Sequence, residues 1–198
     1  TNLVEFVNGL SHPAGCAVLP VFTSGEDGVK ADGSALFGSD GSFVETLTEE
    51  ETRGFLLLSN QFDRGLETVT LSDGAVLTAE LSGASISAEP SFLRDQGVPA
   101  LSLHITCQAA VVSLEQENNR SREEAPKKLE EQIKKETQAV LDLCLKKQHA
   151  DVFSFYSLFQ REEPAYWEEY REHWKEELQN LQIEICVDID LKESGRKN

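Results

Sequence analysis

The chain has 198 residues, 39% of them hydrophobic, with 35 Asp and Glu against 18 Lys and Arg for a formal charge of −17. That length and apolar content suffice for a core without staples, and the charge repels a polyphosphate backbone, which argues against nucleic acid as a partner. Its greasiest runs, such as GFLLL at 54–58, fall far short of the ~20 apolar residues a spanning helix needs.

The chain begins at Thr1 without a charged-then-apolar leader or a lipidation cysteine, and it is expected to be part of a longer protein. Residues 1–74 combine glycines with short apolar runs and predict small elements joined by turns. AVLPVF at 17–22 reads as a strand interrupted by Pro20, hence an edge strand, because proline donates no ladder hydrogen bond. GSALFGSDGSFVETL at 33–47 reads as a hairpin turning at Ser39-Asp40-Gly41. Thr48 and Glu51 then have the spacing of a capping box, with Glu49 and Glu50 at the positive end of the dipole. A helix of about three turns is expected, ending near Asn60.

From about residue 75 the pattern changes to long alternation. Leu77, Ala79 and Leu81 share a parity that slips before Ile86 and Ala88, so Gly83 marks a bulge. In ALSLHITCQAAVV, Leu101, Leu103, Ile105, Cys107, Ala109 and Val111 face one way and His104 the other. The last strand repeats the scheme with Leu181, Ile183, Ile185, Val187, Ile189 and Leu191 inward and Cys186 outward. Such half-buried alternation predicts antiparallel strands.

Between these strands lies a helical block. Leu129, Ile133, Thr137, Val140, Leu141 and Cys144 form one stripe of a helix whose first turn suits Pro126. The preceding EQENNRSREE reads as a solvated linker or loop, and its Asn119-Arg120-Ser121 tripeptide is too common by chance to carry weight. Asp151 is placed to cap a second helix bearing Val152, Phe155 and Phe159, with Tyr156 beside them. Pro164 starts a third, with Trp167, Tyr170, Trp174 and Leu178 in a stripe. These stripes read as core packed on a sheet, each large aromatic contributing about 2 kcal/mol when buried. Phe153 and Tyr166 lie off the stripes and are the rings placed to reach a partner.

Catalytic chemistry leaves little trace. G-x-S-x-G, H-E-x-x-H, P-loop and G-x-G-x-x-G patterns are missing from the sequence, and the abundant carboxylates make a paired-acid site unspecific. His173 has Glu169 and Glu177 four residues to either side, a spacing that reads better as a solvated charged face than as a metal site. His12 lies in a turn, and His149 suits a helix end. Cys16, Cys107, Cys144 and Cys186 lack C-x-x-C spacing and read as free, with Cys107 and Cys144 in the core and Cys186 exposed. No catalytic, cofactor-binding or metal residue is assigned, and no cofactor is expected. Arg53 has two readings: an ion pair to Glu49 or Glu50, or docking onto a neighbouring domain or subunit.

Two separated blocks carry a family resemblance. HADVFSFYSLFQREEPAYW, then WKEELQNL, then QIEICVDIDL, resembles in order and spacing the carboxy-terminal signature of the Ger(x)C family, the C subunits of bacterial spore germinant receptors. Upstream, GSALFGSDGSFVETLTEEETRGFLLL resembles that family's G-x-A-V-F and E-E-T-R-G block, although Ser154 and Tyr156 stand where the family has glycines. The residues that carry the signature, and the candidates for an interaction surface, are Glu50, Glu51, Thr52, Arg53, Gly54, Asp151, Phe153, Phe155, Trp167 and Trp174. The resemblance implies a non-catalytic lipoprotein on the outer face of the spore inner membrane, working beside two membrane-embedded subunits of A and B type, its lipid anchor outside this chain.

The expected fold is therefore α+β: a small α+β domain at 1–70, then a domain at 71–198 whose antiparallel sheet carries three helices on one face. The expected role is assembly and nutrient-response signalling. The rival is a solute-binding module in which aromatic rings and Arg53 hold a small nutrient.

Overall fold

A computed structural model describes residues 16–25, 28–115 and 119–192 with Val7 and Leu10, the side chains of 119–122 excepted. His12 lies outside these residues.

Three strands, β1 (Cys16–Gly25), β2 (Gly28–Gly38) and β3 (Phe43–Leu47), form an antiparallel sheet in that order. Pro20 sits on an edge strand where the register shifts, as its missing donor requires. The expected hairpin joins β2 to β3 through Asp40, whose carboxylate accepts from Ser42 N at 2.9 Å, and Gly41 at φ 76°. Helix α1 (Glu49–Leu58) begins with the complete capping box: Thr48 Oγ1 accepts from Glu51 N and Glu51 Oε2 from Thr48 N. It ends in a Schellman turn, with Asn60 at φ 55° and Gln61 N donating to Leu56 O.

A second sheet has the order β4 (Arg64–Thr70), β5 (Val76–Leu93), β6 (Val98–Leu114), β7 (Gln182–Lys192). β4 thus comes from within residues 1–70 and forms one edge. The slip along β5 is a bulge between Ser82 and Ser85, with Gly83 at φ 58°. β4, β5 and β6 pair antiparallel as expected, but β6 and β7 run parallel. The helical block between them is long enough for a crossover. Because helices cover only one face, β7 alternates like an antiparallel strand; its pattern reports coverage, not direction.

The crossover begins with α2 (Asn119–Leu141), which starts ahead of Pro126 and so absorbs part of the stretch expected to be a loop. It continues through a π-helical segment (Asp142–Lys147) into α3 (Phe155–Glu162). The helix expected from Pro164 is broken: α4 (Pro164–Tyr170), a 3-10 turn (Arg171–His173), then α5 (Trp174–Asn180). Leu129, Ile133, Thr137, Val140, Leu141 and Cys144 are all fully buried, as are Leu101, Leu103 and Ile105 on the facing side of β6. Leu36 and Leu47 of the first sheet join this one continuous core through Phe55, Leu57 and Leu58 of α1.

Candidate functional site

The E-E-T-R-G residues of α1 do not form an open surface. Arg53, only 16% exposed at its side chain, leans across to α2 and β4, where its Nε lies 3.0 Å from Glu136 Oε2 and 3.2 Å from Glu67 Oε2. Its Nη1 donates to Leu66 O at 2.7 Å. The partners are therefore Glu67 and Glu136, not Glu49 or Glu50. Neighbours in sequence lose to residues brought in by packing because the latter are buried, where attraction is screened least. Glu136 also accepts from Gln132, whereas Glu67 Oε2 is near enough to Arg53 for charge attraction but is not aligned for a hydrogen bond.

Two buried carboxylates share this one guanidinium. Burial, then the charge of Glu136, pushes Glu67 up to about 7, and burial likewise raises Glu136. Both carboxyl groups therefore hold a proton more tightly than exposed ones do. Beside it opens a cavity of about 630 Å³ lined by Thr48, Glu49, Glu50, Arg53, Glu67 and Thr68. Its lining carries no aromatic ring, so the combination of Arg53 with aromatic side chains that a nutrient pocket would use is not assembled there.

Gly54 is where α1 touches α2. A Cβ on it would stand 2.7 Å from the carbonyl oxygen of Glu136 and 3.2 Å from Thr137 N. Only a hydrogen at that position lets the two backbones approach so closely. Thr52 stands on the other flank, its Oγ1 buried without a hydrogen-bond partner.

The aromatic block turns inward around a second centre. Asp151 is buried among the helices it was expected to cap, but α3 starts later than expected, leaving Val152 ahead of it. The carboxylate reaches forward: Oδ1 accepts from Phe155 N at 2.8 Å, and Oδ2 from Tyr156 N at 2.8 Å and Trp174 Nε1 at 3.0 Å. Burial raises its affinity for a proton and these donors oppose that shift. Ser154, at φ 57°, makes the bend that lets one side chain satisfy the first amides of α3.

Around Asp151 the rings pack edge to face and tilted: Trp167 with Trp174 at 5.7 Å, Phe159 with Trp174 at 5.3 Å, Phe159 with Tyr166 at 5.5 Å. Tyr166 is thus buried, against the expectation that it reaches a partner, and its hydroxyl donates to Glu177 at 2.9 Å. Phe153 is half-buried and links the blocks, stacking on Phe155 at 5.4 Å and on Phe55 of α1 at 5.7 Å. His173 falls in the 3-10 turn, which breaks the helical spacing to Glu169 and Glu177 and leaves Glu177 to Tyr166.

Glu50, at the mouth of the cavity, is the signature residue facing solvent; Glu51 is spent on the cap, and Arg53, Gly54, Asp151, Phe155, Trp167 and Trp174 hold elements together. Sequence reasoning missed Glu67 and Glu136. A charged residue on an inward parity, as Glu136 is beside Ile133 and Val140, is the signal that a buried partner exists.

The family model described as "Spore germination B3/ GerAC like, C-terminal" matches residues 32–195. The fold is similar to a solved structure described as the crystal structure of the GerBC protein, with a TM-score of 0.79 at 17% sequence identity, over 95% of this chain. The chain spans 58% of that protein's length. No curated protein matches it. By the match over residues 32–195 the chain belongs to the spore germination B3/GerAC-like family.

Proposed function

We propose that the chain is the later part of a germinant receptor C subunit and acts without catalysis, as a docking and signalling module. It works beside two membrane-embedded subunits, as a lipid-anchored protein at the outer face of the spore inner membrane. The family match over residues 32–195 carries this reading. Two features support it: apart from solvent-facing Glu50, most of the signature side chains pack inside the fold, and no helix among the described residues is long and apolar enough to cross a membrane.

Docking falls to residues outside the signature. Phe22 and Val29, 62% and 75% exposed, lie near the Gly25–Gly28 end of the β1–β2 pairing, where Val29 pairs with Ser24, two residues from Phe22, so the two side chains share a face. Exposed rings and branched aliphatics of this kind mark interaction surfaces when they cluster. The test is co-purification of the intact receptor from spore membranes with the full-length subunit carrying Phe22→Ser and Val29→Ser. Loss of the membrane subunits with unchanged melting supports docking there; full recovery of both refutes that surface.

A further inference from the structure

The face of the second sheet turned away from the helices holds side chains that the scaffold leaves unused. Parallel pairing sets His104 opposite Cys186 and Thr106 opposite Asp188. Since side chains alternate along a strand, His104, Cys186 and Asp188 all project from this open face, and all three are exposed. His104 Nε2 lies 2.6 Å from Asp188 Oδ2, and one ligand atom from each residue falls within 4.8 Å of the others. Glu184 and Asp190, on the same parity of β7, add negative charge, offset in part by Lys192 Nζ at 3.9 Å from Asp190.

We propose that His104, Cys186 and Asp188 bind a divalent transition-metal ion of the zinc class. Imidazole, thiolate and carboxylate are the three donor types zinc accepts, at about 2.0–2.3 Å, and it imposes no geometric preference of its own. Donors placed tetrahedrally at those lengths stand roughly 3.5 Å apart, so the His104–Asp188 contact opens by about 1 Å and the Cys186 sulfur moves in by a similar amount. Exposed side chains reach this by small rotamer changes. Magnesium and calcium, which take oxygen ligands, are disfavoured by the sulfur and nitrogen donors. On binding, the Cys186 thiol gives its proton to solvent, neutral His104 exchanges its Nε2 proton for one on Nδ1 through solvent and coordinates through Nε2 in place of donating to Asp188, and water takes the fourth position. Thiolate and carboxylate together neutralise the ion.

Cobalt(II) is the direct probe, because a thiolate ligand gives a sulfur-to-cobalt charge-transfer band. Cys16, Cys107 and Cys144 are buried, so in the folded, reduced chain such a band reports Cys186. One equivalent of cobalt should produce the band and zinc should displace it. Cys186→Ser should abolish it, and His104→Ala should weaken zinc affinity measured by calorimetry more than about tenfold. Neither side chain is in the core, and unchanged circular dichroism and melting confirm intact folding. No band in the parent chain, or zinc affinity unchanged by both substitutions, overturns the proposal.

Discussion

Replacing Gly54 with alanine opposes two effects of known size. Alanine is the better helix former, by about 1 kcal/mol at an interior position. Against this, the new methyl would stand 2.7 Å from a backbone oxygen of α2, and ordinary contact begins at 3.4 Å. The helices must therefore separate by 3.4 − 2.7, about 0.7 Å, a gap that forfeits a quarter to a half of the dispersion attraction across it. Arg53 holds Glu136 across that seam, and Phe55 and Leu58 of the same helix are buried in the core. Overpacking costs about 1–3 kcal/mol; because the obstacle is backbone and not a flexible side-chain end, the upper half of that range applies, and less the propensity gain Gly54→Ala should be destabilised by about 1–2 kcal/mol. In a chain of this length that lowers Tm by about 2–8 °C, readable by thermal melting or urea titration. A variant melting at or above the parent temperature would mean that helix propensity prevails and the close approach does not govern the seam.

The remaining predictions concern the two buried carboxylate centres. Glu67 has its pKa raised from 4.5 to about 7, so its contribution is full below about 4.5 and fades as pH rises through about 7. The parent should thus lose stability between pH 5 and pH 8 relative to Glu67→Gln, whose Tm profile should be flatter over that window; parallel profiles would refute the cluster's electrostatics. Asp151→Ala strands the amides of Phe155 and Tyr156 and the Trp174 indole N–H, and equilibrium unfolding should register a loss of about 3–5 kcal/mol; a loss under 1 kcal/mol would contradict the capping role. Trp174→Phe keeps a ring in place but removes one of those donors, and should cost less than Asp151→Ala in the same assay.

Much of the fold is legible because local signals and tertiary structure agree. The capping box at Thr48, the turn at Asp40-Gly41, the bulge at Gly83 and the edge placement of Pro20 each follow from the chemistry of a few adjacent residues. The direction of β7 does not, since alternation records that one face is covered and says nothing of the neighbouring strand's polarity. Arg53 and Glu136 are 83 residues apart, and only assembled packing shows that a charge on an α2 stripe answers one on α1. The same limit hid His104 beside Cys186 and Asp188, which become neighbours only in the parallel register. The aromatic block was legible as core from its helical spacing. Tyr166 is buried off the stripe because α4 is covered on a second side, by Phe92 of β5 and Phe159 of α3, neither adjacent to it in sequence.

The central claim is that the family signature, Glu50 apart, faces inward while docking uses other, exposed residues. Photo-crosslinking in the intact receptor tests it most directly, with benzoylphenylalanine placed at Phe22 or Val29 and, for comparison, at Phe159 and Trp174 in the core. Adducts to a membrane subunit from the hairpin positions, and none from the core positions of a correctly folded subunit, are the predicted result. Adducts from Phe159 or Trp174, with silence from the hairpin, would contradict the account.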